Sequence, residues 1–279
     1  MILITGAAGT VGSEVVKGLM ATGARVRLGY RNRKPDAPGA VAVPFDFDRP
    51  EMIVPALAGV EKVFLLSNTV SPELNLIRAA KGAGVRHVVK LSVWRAHEEA
   101  YSFARWHRTV ERELEASGLA WTFLRPNLFM QSTVNFMGET IRRDGAFYMP
   151  SGSVRVSQID ARDIAAVAVQ ALTRPGHEGI AYELSGPESL SFHEMATVLT
   201  RVLGREIRYV EIPAEDYKKG AIAAGVPEGY ADALVDLFHR YYHEAREKAA
   251  IVTPTVRELV GRQPARYEEF ARDYAAALR

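Results

Sequence analysis

The sequence predicts an α/β fold: a Rossmann-type, doubly wound parallel sheet followed by a small mixed C-terminal lobe. Two observations carry that expectation over the first half. Short apolar runs alternate with amphipathic segments, as in a parallel sheet covered by helices on both faces. A glycine-rich turn, Gly6-Ala7-Ala8-Gly9-Thr10-Val11-Gly12, lies between the first apolar run and the first amphipathic segment. A third concerns the second half, where the alternation weakens and the chain is mostly helical from Pro227 onward.

The elements follow in order. Ile2–Ile4 is a strand too apolar to be half exposed, and Ser13–Ala21 sets Val15, Val16, Leu19 and Met20 on one helical face. Arg25–Leu28, Val41–Phe45 and Val60–Leu66 are the second to fourth strands. Glu73–Ala83 is a helix stopped by Gly84, Arg86–Leu91 the fifth strand, Phe103–Ser117 a helix closed by Gly118, and Leu119–Leu124 the sixth strand. Met149–Ser153 reads as a loop. Asp160–Leu172 is a helix with Asp163 near its start, where a carboxylate suits the helix dipole. Tyr182–Leu184 is a strand. Ser191–Leu203 is a helix with the Ser191/Glu194 spacing of a capping box, and Ile207–Ile212 is a strand. The expected division is a nucleotide-binding part over 1–150, with 153–185 adding to it, and a mostly helical substrate lobe over 186–279, in one unit.

Composition narrows the function. The 35 Lys and Arg against 33 Asp and Glu give a formal net charge of +2, and no long basic block occurs. A nucleic-acid partner is therefore not expected. The chain has no cysteine, which excludes disulfides, zinc–thiolate sites, iron–sulfur clusters and cysteine catalysis. That composition fits a reducing cytoplasm. No signal peptide opens the sequence and no run approaches 18 apolar residues, so a cytoplasmic protein without a membrane span is expected. His239 and His243 stand four apart on a helix but lack the glutamate of a metalloprotease motif, and read as a solvated face. No metal site is expected. No serine-hydrolase elbow or P-loop occurs.

The glycine turn is placed to bind a dinucleotide. Its glycines allow a tight turn and close backbone approach to a pyrophosphate, and the helix that follows offers unpaired N–H groups to phosphate oxygens. The acid that would hold a ribose 2′-hydroxyl at the end of the second strand is missing. Gly29-Tyr30-Arg31-Asn32-Arg33-Lys34 stands there instead. Three cations at that place favour the extra phosphate of NADP(H), with Arg31 as the leading contact; the alternative is a solvated basic turn. After the third strand, Asp46 can accept from an adenine amino group while Phe47 flanks the ring, or the two form an ordinary turn. Trp94 after strand five, and Phe129, Met130 and Phe136 after strand six, stand where open parallel sheets place ligands. They are candidates for an apolar substrate wall; two of the four are expected to serve, Phe129 and Trp94 first, with core packing as the alternative for most of them.

Residues 2–12 (ILITGAAGTVG), 117–130 (SGLAWTFLRPNLFM) and 159–164 (IDARDI), with the tail around Thr253–Val256 and Phe270, resemble the NmrA-like group of atypical short-chain dehydrogenases. Its members include NAD(P)H-dependent quinone reductases, triphenylmethane dye reductases, isoflavone-type reductases and regulators that bind nucleotide without turnover. The resemblance implies phosphate contacts from Gly6, Gly9, Thr10, Val11 and Gly12, and a 2′-phosphate contact from Arg31. It also implies that Leu66 and Ser67 after strand four, and Pro126 after strand six, line the cofactor. Leu66 and Pro126 would also serve as plain packing residues.

Ordinary short-chain dehydrogenases use Tyr-x-x-x-Lys as their acid–base pair. Here that spacing occurs only at Tyr30–Lys34, in the cofactor loop, and Tyr101 is followed by Arg105. The isoflavone-type branch carries a lysine 11 residues before the glycine that occupies position 118 here. His107 stands at that position, as in the quinone-reductase branch. Histidine can relay a proton near neutral pH, so His107 is the candidate catalytic residue, or else a helix residue bonded to a carbonyl. An electron-poor acceptor needs little acid catalysis. The expected function is NADPH-dependent reduction of a small aromatic or conjugated electrophile such as a quinone. The alternative is an NADP(H)-binding redox sensor without turnover. A homo-oligomer is compatible with the sequence.

Overall fold

The computed structural model describes residues 1–32, 34–67 and 70–279, with the side chain of Ser71 left aside. Arg33, one of the three cations of the basic turn, lies outside the described residues. The strands are β1 (Ile2–Ile4), β2 (Val26–Tyr30), β3 (Val41–Pro44), β4 (Lys62–Leu65), β5 (His87–Leu91), β6 (Ala120–Pro126), β7 (Ala146–Met149), β8 (Arg155–Val156), β9 (Ile180–Leu184), β10 (Leu190–Ser191) and β11 (Arg208–Glu211). Seven of them form one sheet in the order β3-β2-β1-β4-β5-β6-β9, with every neighbouring pair parallel. The order reverses between β2-β1 and β4, and that reversal opens a crevice at the carboxyl ends of the strands.

Helices cover both faces. On one face, α1 (Thr10–Ala21) packs with α7 (Ala161–Thr173) over β1, β4, β5 and β6 through Val15, Leu19, Ile164 and Ala168. On the other, α2 (Pro50–Leu57), α3 (Val70–Gly82) and α4 (Ser102–Ala116) bury Ile53, Leu57, Leu76, Ile77, Val110 and Leu114 against the sheet. Each buried Val, Leu or Ile among them contributes about 1.5–3 kcal/mol by leaving water, so the sheet is held from both sides.

A third core lies beyond the sheet. It joins α5 (Ser132–Asn135), α6 (Gly138–Asp144), β7, α8 (Phe192–Leu203), a π-helical stretch (Phe238–Glu244) and the terminal helices α13 (Tyr267–Asp273) and α14 (Ala275–Leu278). Between them run α9 (Ala214–Ala223), α10 (Glu228–Leu237), α11 (Arg246–Ala249) and α12 (Thr255–Val260). Here β7 pairs in parallel with β11, and β8 pairs antiparallel with β10. Residue 150 therefore falls inside one structural unit, because β7 just before it and β8 just after it both pair with later strands. No helix among the described residues is long and apolar enough to cross a membrane.

Several local expectations are met closely and others are not. Ser191 and Glu194 form the reciprocal capping box of α8. The cap of α7 is Asp160, which accepts the Arg162 N–H at 2.8 Å. Asp163 is instead buried, accepting from the Ala265 N–H at 2.7 Å and pairing with Arg262 at 2.6 Å. It ties α7 to the segment before α13. Residues 146–149 form a strand where only a following loop was expected. Helix α2 was masked by Pro55 inside it, although Pro50 is placed where the missing N–H costs nothing. Helix α9 buries none of its residues, so it carries no apolar stripe to be read.

Candidate active site

The glycine loop is built by close backbone contact. Gly6 has φ +62°, and a Cβ there would stand 2.7 Å from Leu66 Cδ2. A Cβ on Gly12 would stand 2.1 Å from the Gly6 carbonyl oxygen, inside any tolerable contact. The Gly9 N–H donates to Gly6 O at 2.9 Å, closing the turn. Gly9 then begins α1 with no side-chain cap, and no acidic residue stands in the first turn. The first N–H groups of α1 thus remain available to an anion, with the positive end of the helix dipole behind them. Ala8, Gly9 and Thr10 are exposed, while Val11 and Gly12 are buried. Thr5, which no sequence motif singles out, fixes the loop to β4. Its Oγ1 accepts the Leu66 N–H at 2.8 Å and lies 3.1 Å from both Phe64 O and Leu66 O.

At the end of β2, Arg31, Asn32 and Lys34 are exposed. Among the described residues Arg31 makes no hydrogen bond or ion pair, which leaves its guanidinium for a ligand. Gly29 lets the Phe45 ring lie against β2, since a Cβ would stand 3.0 Å from the Phe45 side chain. Phe45 meets Phe47 edge to face at 4.8 Å. Phe47 is half-buried against the core, and Asp46 Oδ1 accepts the Asp48 N–H at 3.1 Å. This is a local turn that leaves the other Asp46 oxygen for a donor.

The floor of the crevice carries buried charge. Lys90 on β5 donates to Glu73 Oε2 at 2.7 Å, and both side chains are almost wholly enclosed. Glu73 also accepts the Ser67 backbone N–H, so one carboxylate links α3, β5 and the chain leaving β4. Burial pushes the Glu73 carboxyl up to about 6, although Lys90 pulls it down. Next to this pair, Arg125 of β6 grips Glu111 of α4 through two bonds of 2.9 and 2.7 Å, and Ser92 Oγ donates to the same carboxylate at 2.7 Å. Removing one partner of a buried ion pair of this kind costs about 3–5 kcal/mol. The sequence gives no sign of these pairs, because a lone Lys or Arg in a strand does not name its partner.

His107 lies on α4 beside this floor. Its Nδ1 is sealed from solvent and has no hydrogen-bond partner among the described residues. Burial, with the Lys90 cation adding to it, holds the ring well below the usual histidine pKa. The imidazole is therefore neutral at neutral pH. It can offer an N–H, but it is not the proton-charged relay near neutral pH that an unperturbed histidine would be. The alternative, a bond from the ring to a backbone carbonyl, is not seen among the described residues.

The four proposed wall residues divide. Trp94 is 2% exposed, and its indole N–H donates to Lys248 O at 3.2 Å. Met130 is 1% exposed in the same core. Both are closed to a ligand; the chain after β5 turns Trp94 inward to meet the C-terminal helices. Phe129 is half-buried beside Ile159, and Phe136 is 73% exposed. Asn135, next to Phe136, donates to Thr10 Oγ1 at 3.3 Å, which brings the segment after β6 over the glycine loop. Pro126 is buried at the end of β6, with its carbonyl accepting the Trp94 N–H at 2.9 Å. Leu66 packs on Gly6, and Ser67 follows it above Glu73.

Comparison with known proteins gives this geometry a context. The chain is 41% identical to an NAD(P)H azoreductase of Xenophilus azovorans, over all of this chain and 99% of the other. It is 38% identical to a (4-alkanoyl-5-oxo-2,5-dihydrofuran-3-yl)methyl phosphate reductase of Streptomyces griseus, with the same coverage. Among solved structures, the NADPH-dependent quinone oxidoreductase of Escherichia coli complexed with NADPH superposes with a TM-score of 0.84 at 26% identity, covering 97% of this chain and 98% of that one. The sequence model of the NmrA-like family matches residues 1–271, and the chain belongs to that family.

Proposed function

We propose that this protein is an NADPH-dependent reductase that passes hydride to a small aromatic or conjugated electrophile, a quinone or an azo compound being representative. It is an NAD(P)H-dependent oxidoreductase, and NADP(H) is its cofactor. The observation that carries the finer reading is the combination of an uncapped α1 N-terminus and a free Arg31 with a crevice whose histidine is held neutral.

The residues fit the cofactor. The first N–H groups of α1 and the backbone of Gly6–Gly12 hold the pyrophosphate, and Arg31 takes the 2′-phosphate. Asp46 and Phe47 border the adenine. Leu66, Ser67 and Pro126 line the path toward the nicotinamide, with Phe129 and Phe136 beyond it. Bound there, NADPH supplies a hydride to an electron-poor acceptor. A quinone takes that hydride together with one proton and becomes a hydroquinone. Because the acceptor is already electron-poor, a neutral imidazole N–H at His107 suffices to steady the developing oxyanion, with the proton coming from solvent. An alcohol or sugar substrate would need the missing Tyr–Lys pair. The relatives support this reading by their own activities: azo reduction in one, and reduction of a butenolide phosphate in the other.

The test is NADPH oxidation followed against quinones, azo dyes, enones and imines. At least one quinone or azo dye should oxidise NADPH catalytically, with NADPH preferred to NADH. Tight NADPH binding with no oxidation by any acceptor would favour the sensor reading instead.

A further inference from the structure

We infer that the seam between α4 and α10 is a second wall of the substrate site, built by Phe103, Trp106 and Tyr230, and that it selects acceptors whose conjugation extends over more than one ring. The inference rests on the reductase reading above and deepens it.

The three rings form a continuous surface. Phe103 meets Trp106 edge to face, with centroids 5.2 Å apart at 88°, and meets Tyr230 at 4.9 Å and 60°. Such offset and edge contacts are the preferred arrangements of aromatic rings, and they leave ring faces available to a further partner. All three residues are only half-buried. Phe103 packs on the lobe core, whereas Trp106 and Tyr230 belong to none of the three hydrophobic cores. These two large rings are held half in the open, outside the three cores.

Their position points to the crevice. On α4, Phe103 stands three residues before Trp106 and four before His107, so it neighbours both and links the seam to the histidine. His107 in turn neighbours Lys90 at the floor of the site. These are the first turns of α4, which enters from the carboxyl end of β5, the edge where a parallel sheet presents its ligands. The Tyr230 hydroxyl bonds no described residue, and burial raises its pKa. It therefore stays a neutral donor for an acceptor nitrogen or oxygen.

The seam is also rigid. Asp236 of α10 accepts from the Ser102 N–H at 2.6 Å, from Ser102 Oγ at 2.7 Å and from Arg105 Nη2 at 2.9 Å. The carboxylate caps α4 from outside and fixes α10 on it, so Tyr230 is held against Phe103 before any ligand arrives. A single-ring acceptor is accommodated near Phe129 and Phe136. A second conjugated ring has these three side chains to lie against.

The experiment compares methyl red, a two-ring azo dye, with para-benzoquinone in the wild type and in the Trp106→Ala, Trp106→Phe and Tyr230→Ala proteins, using NADPH affinity as the check on folding. The ratio of kcat/KM for methyl red to that for benzoquinone should fall about tenfold in Trp106→Ala, the order of one aromatic contact and the surface it buries. It should fall less in Tyr230→Ala and be largely restored in Trp106→Phe. Methyl red alone, without NADPH, should quench tryptophan emission in the wild type, and that quench should be mostly lost in Trp106→Phe. An unchanged ratio in both alanine variants overturns the wall, while the reductase reading stands. Quenching at Trp106 without turnover of either acceptor upholds the wall and removes the reductase reading. Absence of both quenching and turnover removes both. Conversion of an oligomer to a monomer by Trp106→Ala, seen by sedimentation, would assign the rings to a contact between copies of this chain and also overturn the wall.

Discussion

The two ends of the crevice are built by different means. The nucleotide end comes from neighbours in sequence: within residues 5–12 the backbone turns, closes on itself and opens a helix, and Thr5 pins the turn to β4. The proposed substrate end is built from residues distant in sequence. Lys90 meets Glu73 across 17 positions, Arg125 meets Glu111 across 14, and Ser102 meets Asp236 across 134. Backbone geometry shapes the first end and side chains shape the second. Substitutions should therefore act through conformation at one end and through chemistry at the other.

The largest effect tests the backbone half of that contrast. Gly12→Ala places a Cβ 2.1 Å from the Gly6 carbonyl oxygen. Neither atom belongs to a flexible side chain, so the turn must move. The variant should lose about 1–3 kcal/mol of stability, as for overpacking, and NADPH binding should fall below detection. A thermal melt and a calorimetric titration measure the two losses. Wild-type NADPH affinity in Gly12→Ala would break the claim that close backbone approach builds this end.

The next effect tests the side-chain half. His107→Ala should leave NADPH binding nearly intact and lower turnover about a hundredfold, the low end for a general acid or the loss of one oxyanion donor. The pH profile sharpens it. Burial lowers the pKa of His107, so the folded protein takes up its proton only below the ordinary range near 6.5. Turnover should then be flat from about pH 6.5 to 8. The neutral ring stabilises the fold at neutral pH relative to acid. As pH falls below the unfolded value, the unfolded chain binds the proton first, and that share of stability declines. An inflection in turnover near neutral pH that vanishes in His107→Ala would show a charged imidazolium at work and overturn the neutral-donor role.

What the sequence discloses follows the same division. The strands of the main sheet were legible because each is a short apolar run between turn signals, and both the capping box of α8 and the glycine loop rest on spacing within a few residues. Other features are set by tertiary contact. Nothing near Trp94 announces that its indole will reach the Lys248 carbonyl 154 residues away, so a residue after β5 looked like a wall and is core. Met130 takes the core alternative that the sequence left open for it. Phe136 follows Asn135, and only the contact of Asn135 with Thr10 reveals that this segment reaches the glycine loop. The neutral state of His107 depends on Lys90 and on burial, neither of which helical spacing reports.

The smallest expected effect joins the two halves, because Arg31 is a side-chain contact at the backbone-built end. It stands just past β2, exposed and without a partner among the described residues. Its guanidinium can meet the 2′-phosphate through two parallel charge-assisted hydrogen bonds. NADH has no such phosphate, so Arg31 gains nothing from it and stays hydrated. A hydrogen bond to a charged group contributes about 1.5–3 kcal/mol. Exposure and salt screening place this one at the lower end, and Lys34, also exposed on the same turn, retains part of the attraction. Arg31→Ala should therefore weaken NADPH binding by about 1.5 kcal/mol, roughly tenfold, with NADH affinity almost unchanged. The loss should shrink as salt rises, since a screened ion pair at the surface accounts for it. Dissociation constants for both nucleotides at two ionic strengths measure the effect. Equal weakening of NADPH and NADH would make Arg31 a support of the turn rather than a reader of the phosphate, and the nucleotide end would then be built by backbone alone.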